Sequence, residues 1–287
     1  MDRRWFGTKL FRGGLVLLAG AIAFAVMLSF MAHDLIYHPR DYPANYRHLL
    51  GAGTMELEFK SEAGRQTAFY VSPRGTQDLP DHLWVAFCGN GSLALDWLPL
   101  VTRDTNQGDG FLLVEYPGYG KNEGRPSMTH NRAAADDALA ALALKLGVPE
   151  ANLEPRLNAI DHSLGAAAPL DFARRHPMQK IILLSPFTTL HDEAAAFSGA
   201  TFARLFPDNY DNRAALLELS RKNPLPRVTV FHGLQDSMIS AKMGKELARL
   251  FPKFVSFRPI PNAGHDDIGI AAGDEILAIL RADEKAN

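Results

Sequence analysis

Six short apolar runs recur along the chain: Leu83 to Phe87, Phe111 to Tyr116, Leu157 to Ile160, Ile181 to Leu184, Val228 to Phe231 and Phe254 to Phe257. Each is separated from the next by a stretch long enough for a helix. Strands that are apolar throughout must be covered on both faces, and strands that alternate with helices are joined by crossovers. The pattern therefore predicts an α/β domain with a mostly parallel sheet between two helical layers. Ahead of it, Met55 to Lys60 and Gln66 to Val71 read as an antiparallel pair joined through Ala63-Gly64, with a Pro/Gly loop at Pro73 to Pro80. A chain of 287 residues with 47% apolar side chains can fill the core of one such domain.

The third run leads into Asp161-His-Ser-Leu-Gly165 and then a small-residue helical stretch, Ala166 to Arg175. A strand, a sharp turn and a helix in that order lift a serine out of the backbone, where its hydroxyl can attack a substrate. Ser163 is thus the candidate nucleophile. A serine hydroxyl is weak at neutral pH, so it needs a base, an acid to orient the base, and donors for an oxyanion.

All of these follow strands. Arg227 to Phe231 runs into His232-Gly-Leu-Gln-Asp236, and Phe254 to Pro259 leads to Pro261-Asn-Ala-Gly-His-Asp-Asp267. His265 is expected to take the Ser163 proton, with Asp236 holding the imidazole in the right tautomer. Leu83 to Phe87 is followed by Cys88-Gly-Asn-Gly91. The backbone N–H groups of Asn90 and Leu164 are the expected oxyanion donors, with glycine on both sides of Asn90 to allow close approach. Asp208 and Asp211 are the rival positions for the acid.

The chain order Ser163, Asp236, His265, together with Glu115-Tyr-Pro-Gly-Tyr-Gly-Lys-Asn-Glu-Gly-Arg-Pro-Ser127, Ser185-Pro-Phe-Thr188 and Ala263-Gly-His265, resembles one branch of the α/β-hydrolases. That branch is the membrane-anchored Bem46-like group, which is also similar to the protein depalmitoylases. The resemblance runs from about Leu35 to the C-terminus. It implies a serine hydrolase of carboxylic esters or thioesters that works through an acyl-enzyme. Amide or lactone hydrolysis on the same triad, or a silent tethered scaffold, are the alternatives. The branch usually carries histidine where Cys88 stands and glycine where Asp161 stands. Asp161 is expected to ionise beside the following helix N-terminus and to oppose a negative oxygen at Leu164 and Asn90, so that Asp161→Gly would raise turnover.

Leu15 to Ala32 is uncharged and apolar, and as a helix it would span roughly 27 Å, close to the hydrocarbon thickness of a bilayer. Arg3, Arg4, Lys9 and Arg12 precede it. The positive-inside rule then expects a transmembrane signal anchor over residues 1–32, a cytoplasmic N-terminus, and a catalytic domain over 33–287 on the other side. A cleaved signal peptide would have a shorter run ending in small residues, which Phe30 and Met31 do not supply.

Thr188 to Pro226 is the place for a small cap, with Phe197, Phe202, Leu205 and Phe206 either lining an acyl pocket or packing onto the sheet, and a helix at Arg213 to Arg221. His162, beside the nucleophile, is expected to have a packing or surface role. His130, His191 and His232 lack metal-ligand spacing, and Gly118 and Gly120 lack a phosphate-binding context, so no metal or cofactor is expected. A net charge of −2, with no long basic run outside the N-terminus, argues against nucleic acid as a partner. A small or lipid-like acyl ester is the expected substrate. One cysteine excludes an intrachain disulfide.

Overall fold

A computed structural model describes residues 33–281 apart from 52, 73, 200–202 and 204–208, together with a few positions between 15 and 27. Eight strands form one sheet: β1 (Thr54–Ser61), β2 (Gly64–Val71), β3 (His82–Ala86), β4 (Asp109–Val114), β5 (Leu157–His162), β6 (Lys180–Leu184), β7 (Arg227–Gly233) and β8 (Val255–Ile260). Their order is β1-β2-β4-β3-β5-β6-β7-β8. β1 and β2 form the expected antiparallel hairpin, β2 meets β4 antiparallel, and every pairing from β4 through β8 is parallel.

Several strand ends differ from the sequence reading. β5 extends through Asp161 and His162, which pair with Leu183 and Leu184 of β6. β7 continues to Gly233 and β8 to Ile260. In each case the parallel ladder carries on past the last apolar residue, because backbone pairing with a neighbouring strand does not depend on side-chain type.

The helices flank the sheet: α1 (Met128–Lys145), α2 (Ala168–Arg175), α3 (Leu190–Ser198), α4 (Asn212–Leu219), α5 (Ala241–Leu250) and α6 (Gly273–Arg281). Helix starts are set by short polar side chains. The Ser127 hydroxyl accepts from His130 N–H and opens α1. Thr189 accepts from Asp192 N–H at the start of α3, and Asp211 accepts from Ala214 N–H at the start of α4. Leu83, Leu112, Leu157, Ile181 and Ile182 in the strand centres are wholly inaccessible. Truncating any of them to alanine should cost about 2–5 kcal/mol.

Among the described residues, no helix is long and apolar enough to cross a membrane. Most of the expected anchor, Leu15 to Ala32, lies outside them, although Leu15, Leu18, Phe24 and Met27 are described and exposed. Of the cap aromatics, the side chain of Phe197 and the whole of Phe202, Leu205 and Phe206 also fall outside the described residues, as does Asp208.

Candidate active site

In an open parallel sheet, ligands sit beyond the carboxyl ends of the strands, where the strand order reverses. Here β4 lies to one side of β3 and β5 to the other. The loop holding Asn90 leaves β3, Ser163 follows β5, Asp236 follows β7, and His265 follows β8. All five residues expected from the sequence therefore lie at one end of the sheet.

The turn after β5 is strained as a nucleophile elbow requires. Ser163 has φ of 61°, a left-handed conformation that side chains other than glycine rarely adopt. His265 Nε2 lies 2.8 Å from Ser163 Oγ, and His265 Nδ1 lies 2.8 Å from Asp236 Oδ2. With Nδ1 protonated, that N–H donates to the carboxylate and Nε2 accepts from the serine hydroxyl.

Asp236 is inaccessible to solvent at its side chain. Burial alone would push its carboxyl up, but hydrogen bonds from His232, His265 and the Ile239 N–H outweigh burial and hold it far below the usual carboxylate range. Its Oδ1 accepts from the Met238 and Ile239 N–H groups at 2.9 and 2.8 Å. His232 Nε2 donates to the Ile239 carbonyl at 2.9 Å and lies 3.5 Å from Asp236 Oδ2. Asp211 is committed to its helix cap and takes no part in this arrangement.

Asn90, Ser163 and Leu164 line one cavity of about 300 Å³. Leu164 is the second residue of the helical turn Ser163–Ala167, where an N–H has no intrahelical acceptor. The glycines beside Asn90 differ in what they do. A Cβ on Gly89 would come within 3.1 Å of Ser92 Oγ and 3.4 Å of the His162 carbonyl, a tight fit, whereas one on Gly91 would meet only ordinary contacts. The Asn90 carbonyl is pinned by the Tyr119 hydroxyl and by the His38 N–H. The Tyr-Pro-Gly-Tyr-Gly loop thus braces the β3 loop, a link visible in the sequence only as a motif without an assigned task.

Two residues of the elbow correct the sequence reading. Asp161 was expected to be ionised; it is fully buried, accepts one hydrogen bond, from His162 N–H at 2.6 Å, and its Oδ2 has no partner. Burial holds its carboxyl well above the usual range, so it stays protonated and sets no charge against a developing oxyanion. Its bulk is accommodated because residue 165 is glycine: a Cβ there would lie 2.2 Å from Asp161 Oδ2. His162 does pack, as expected, but it is more than filler. Its Nε2 donates to the His265 carbonyl at 2.9 Å, and the two rings lie 4.7 Å apart. Burial, reinforced by His265, lowers its pKa to about 4, so it remains a neutral donor.

Asp267 opens the short helix Ile268–Ala271, and its side chain has a second task. Its Oδ1 accepts from the Gly264 N–H at 2.6 Å and fixes the loop that presents His265. Cys88, in place of the branch's usual histidine, lies buried behind the site, with its thiol against the Val114 carbonyl and Glu115 Oε1. Burial raises that thiol well above its ordinary value, which leaves it inert. Among the described residues, no three His, Cys, Asp or Glu side chains are grouped to hold a metal ion. Glu193, which the sequence reading passed over, joins the wall of the Ser163 cavity from α3.

No family model matches the chain. It is 29% identical over 172 residues to an uncharacterised protein of Mycobacterium tuberculosis, covering 59% of this chain and 58% of that one. It is 29% identical over 163 residues to the human alpha/beta hydrolase domain-containing protein 17C, covering 55% of this chain and 44% of the relative. The chain thus spans about half the length of the curated relatives it matches. Among solved structures, an alpha-beta hydrolase from Vibrio vulnificus superposes with a TM-score of 0.71 at 18% identity, over 88% of this chain and 92% of that one. A Pyrococcus furiosus esterase superposes with a TM-score of 0.62 at 14% identity, over 85% and 95%. By fold, by motif order and by its likeness to the domain-containing protein 17 relatives, the chain is a member of the α/β-hydrolase superfamily.

Proposed function

We propose that the chain is a serine hydrolase that cleaves carboxylic ester or thioester bonds through an acyl-enzyme. The observation that carries this reading is the unbroken relay from Ser163 through His265 to Asp236, with 2.8 Å at each step, opening on an apolar cavity. Ser163 Oγ attacks the acyl carbon as its proton passes to His265 Nε2, and Asp236 stabilises the resulting imidazolium. The Leu164 and Asn90 N–H groups receive the oxyanion. His265 then returns the proton to the departing alcohol or thiol, and a water repeats the sequence to release the acid. A relay of this kind also serves amides and lactones, and a substrate panel separates them.

The anchor belongs to the same proposal: residues 1–32 as a single membrane span, residues 33–287 as the catalytic region on the non-cytoplasmic side, periplasmic in a bacterium. The uncharged run with its basic flank supports it. Three Cα-to-Cα steps separate Ala32 from Leu35, which lines the cavity. That length of chain reaches at most about 11 Å, so an anchored enzyme holds its pocket close to the bilayer and within reach of lipid-like acyl esters.

The test is hydrolysis of p-nitrophenyl esters and acyl thioesters of graded length by the purified chain. Ser163→Ala is expected to lose about 10⁴ to 10⁶ of the rate while remaining folded. Retention of more than about a tenth of turnover would exclude Ser163 as the nucleophile, since loss of a triad member costs orders of magnitude. Absence of hydrolysis across the panel, amides and lactones included, would leave a silent scaffold.

A further inference from the structure

The cavity that holds Ser163 is walled mainly by apolar side chains, among them Leu35, Ile36, Phe187, Leu190, Met238 and Ile239. Glu193 is the exception, the one carboxyl in that wall among the described residues. Among the described residues it has no ion pair and no side-chain hydrogen bond. Its neighbour shows how unusual this is. Asp192, one position earlier on α3, is bound by Arg213 at 2.5 Å and by the Thr188 hydroxyl at 2.8 Å, and Arg213 in turn holds Glu246. Arg213 is therefore engaged on the outer face of the helix. A turn of about 100° per residue carries Glu193 to the inner face, where no described residue pairs it.

A carboxylate set among apolar groups loses hydration and needs a partner. We propose that Glu193 makes this pocket selective for esters or thioesters that carry a cationic group, an ammonium or other basic function, near the scissile bond. The inference rests on the serine-hydrolase reading of the same site. In the empty pocket, burial first and then the negative charge of Asp236 raise the Glu193 pKa to about 7, with His265 acting in the opposite direction. Among the described residues, these are the charged groups near enough to bias it. A bound cation supplies the missing counter-charge and ionises Glu193. A neutral substrate meets the protonated acid without repulsion, and an anionic one is rejected.

The experiment compares two esters of the same shape, choline butyrate and 3,3-dimethylbutyl butyrate, in which the quaternary nitrogen of one is a carbon in the other. The wild-type chain is expected to favour the cation about tenfold in kcat/KM, mainly through KM, which corresponds to about 1.4 kcal/mol of pairing. The preference should weaken below pH 7 as Glu193 protonates, and in Glu193→Gln the ratio should fall close to one. Equal kcat/KM for the two esters in the wild-type chain, or a tenfold preference that survives in Glu193→Gln, would overturn the proposal. Calorimetric binding of both esters to Ser163→Ala gives the same comparison without turnover. Cation-selective binding there that disappears in the Ser163→Ala, Glu193→Gln double variant supports Glu193 even if no ester is hydrolysed, and its absence refutes Glu193 even if the neutral ester is hydrolysed well.

Discussion

Two carboxyls, at the end of β5 and just after β7, both have side chains out of reach of water and end in opposite states. Asp236 receives two backbone N–H groups and the His265 ring, with His232 close by, and stays ionised. Asp161 receives a single N–H and keeps its proton. Burial raises both carboxyls, more strongly for the deeper Asp161, and only around Asp236 do the donors outweigh it. The difference shows why one carboxyl can orient the His265 imidazole while the other, though closer in sequence to Ser163, works only as bulk and as an acceptor for the His162 backbone.

The most damaging way to probe this contrast is to remove the charge of Asp236 while keeping its shape. Asp236→Asn should fold and lose about 10⁴ in kcat, because an amide can hold the imidazole in the wrong tautomer. Near-normal ester turnover in that variant, measured under saturating substrate, would show that the two carboxyls are not functionally distinct. Its pH dependence has a definite sign. A carboxyl depressed in the folded state stabilises the protein above its unfolded value, near 3.9, and that contribution is lost as pH falls further. The wild-type protein should accordingly lose more stability than Asp236→Asn on acidification below about pH 4, which denaturant titrations would reveal.

His162 bridges the two regions, since its N–H serves Asp161 and its ring serves the His265 carbonyl. His162→Phe keeps the packing and removes the ring donor. A drop of about tenfold in kcat with little change in KM is expected, the loss of about one hydrogen bond's worth of positioning. The pH profile should not shift with it, because His162 is already neutral over the working range. If kcat is unchanged, His162 is packing alone.

Asp161 should give the smallest effect. Its proton is bound more tightly in the folded chain than in the unfolded one, so folding is penalised increasingly as pH rises above the unfolded value near 3.9. Asp161→Ala should then raise Tm by roughly 2–4 °C at pH 8, with the gain shrinking toward pH 4. Turnover on an activated ester should stay within about threefold from pH 5 to 8, a change of less than about 1 kcal/mol. A large rate gain that fades at low pH would mean that Asp161 is ionised after all.

Much of this arrangement was legible in the chain itself. The apolar strand runs, the Asp161-His-Ser-Leu-Gly165 turn and the two downstream loops lie in chain order, and short local signals fix Ser163, Asp236 and His265. What escaped were properties that arise only when distant segments meet. Nothing near Asp161 in sequence reveals that only one donor reaches its carboxyl. The Glu193 position on α3 reads as an ordinary acidic first turn until the β5, β7 and N-terminal segments bring their apolar side chains around it. Tyr119 likewise acquires its role from Asn90, far away along the chain.

The central claim is that Ser163 is activated by the His265–Asp236 pair, and reaction with a fluorophosphonate followed by peptide mass spectrometry tests it most directly. One phosphonyl adduct per chain is expected, carried on Ser163, formed rapidly at pH 8, and slowed by about 10⁴ in Asp236→Asn. An unmodified Ser163, or an adduct on another residue with Ser163 intact, would contradict the account.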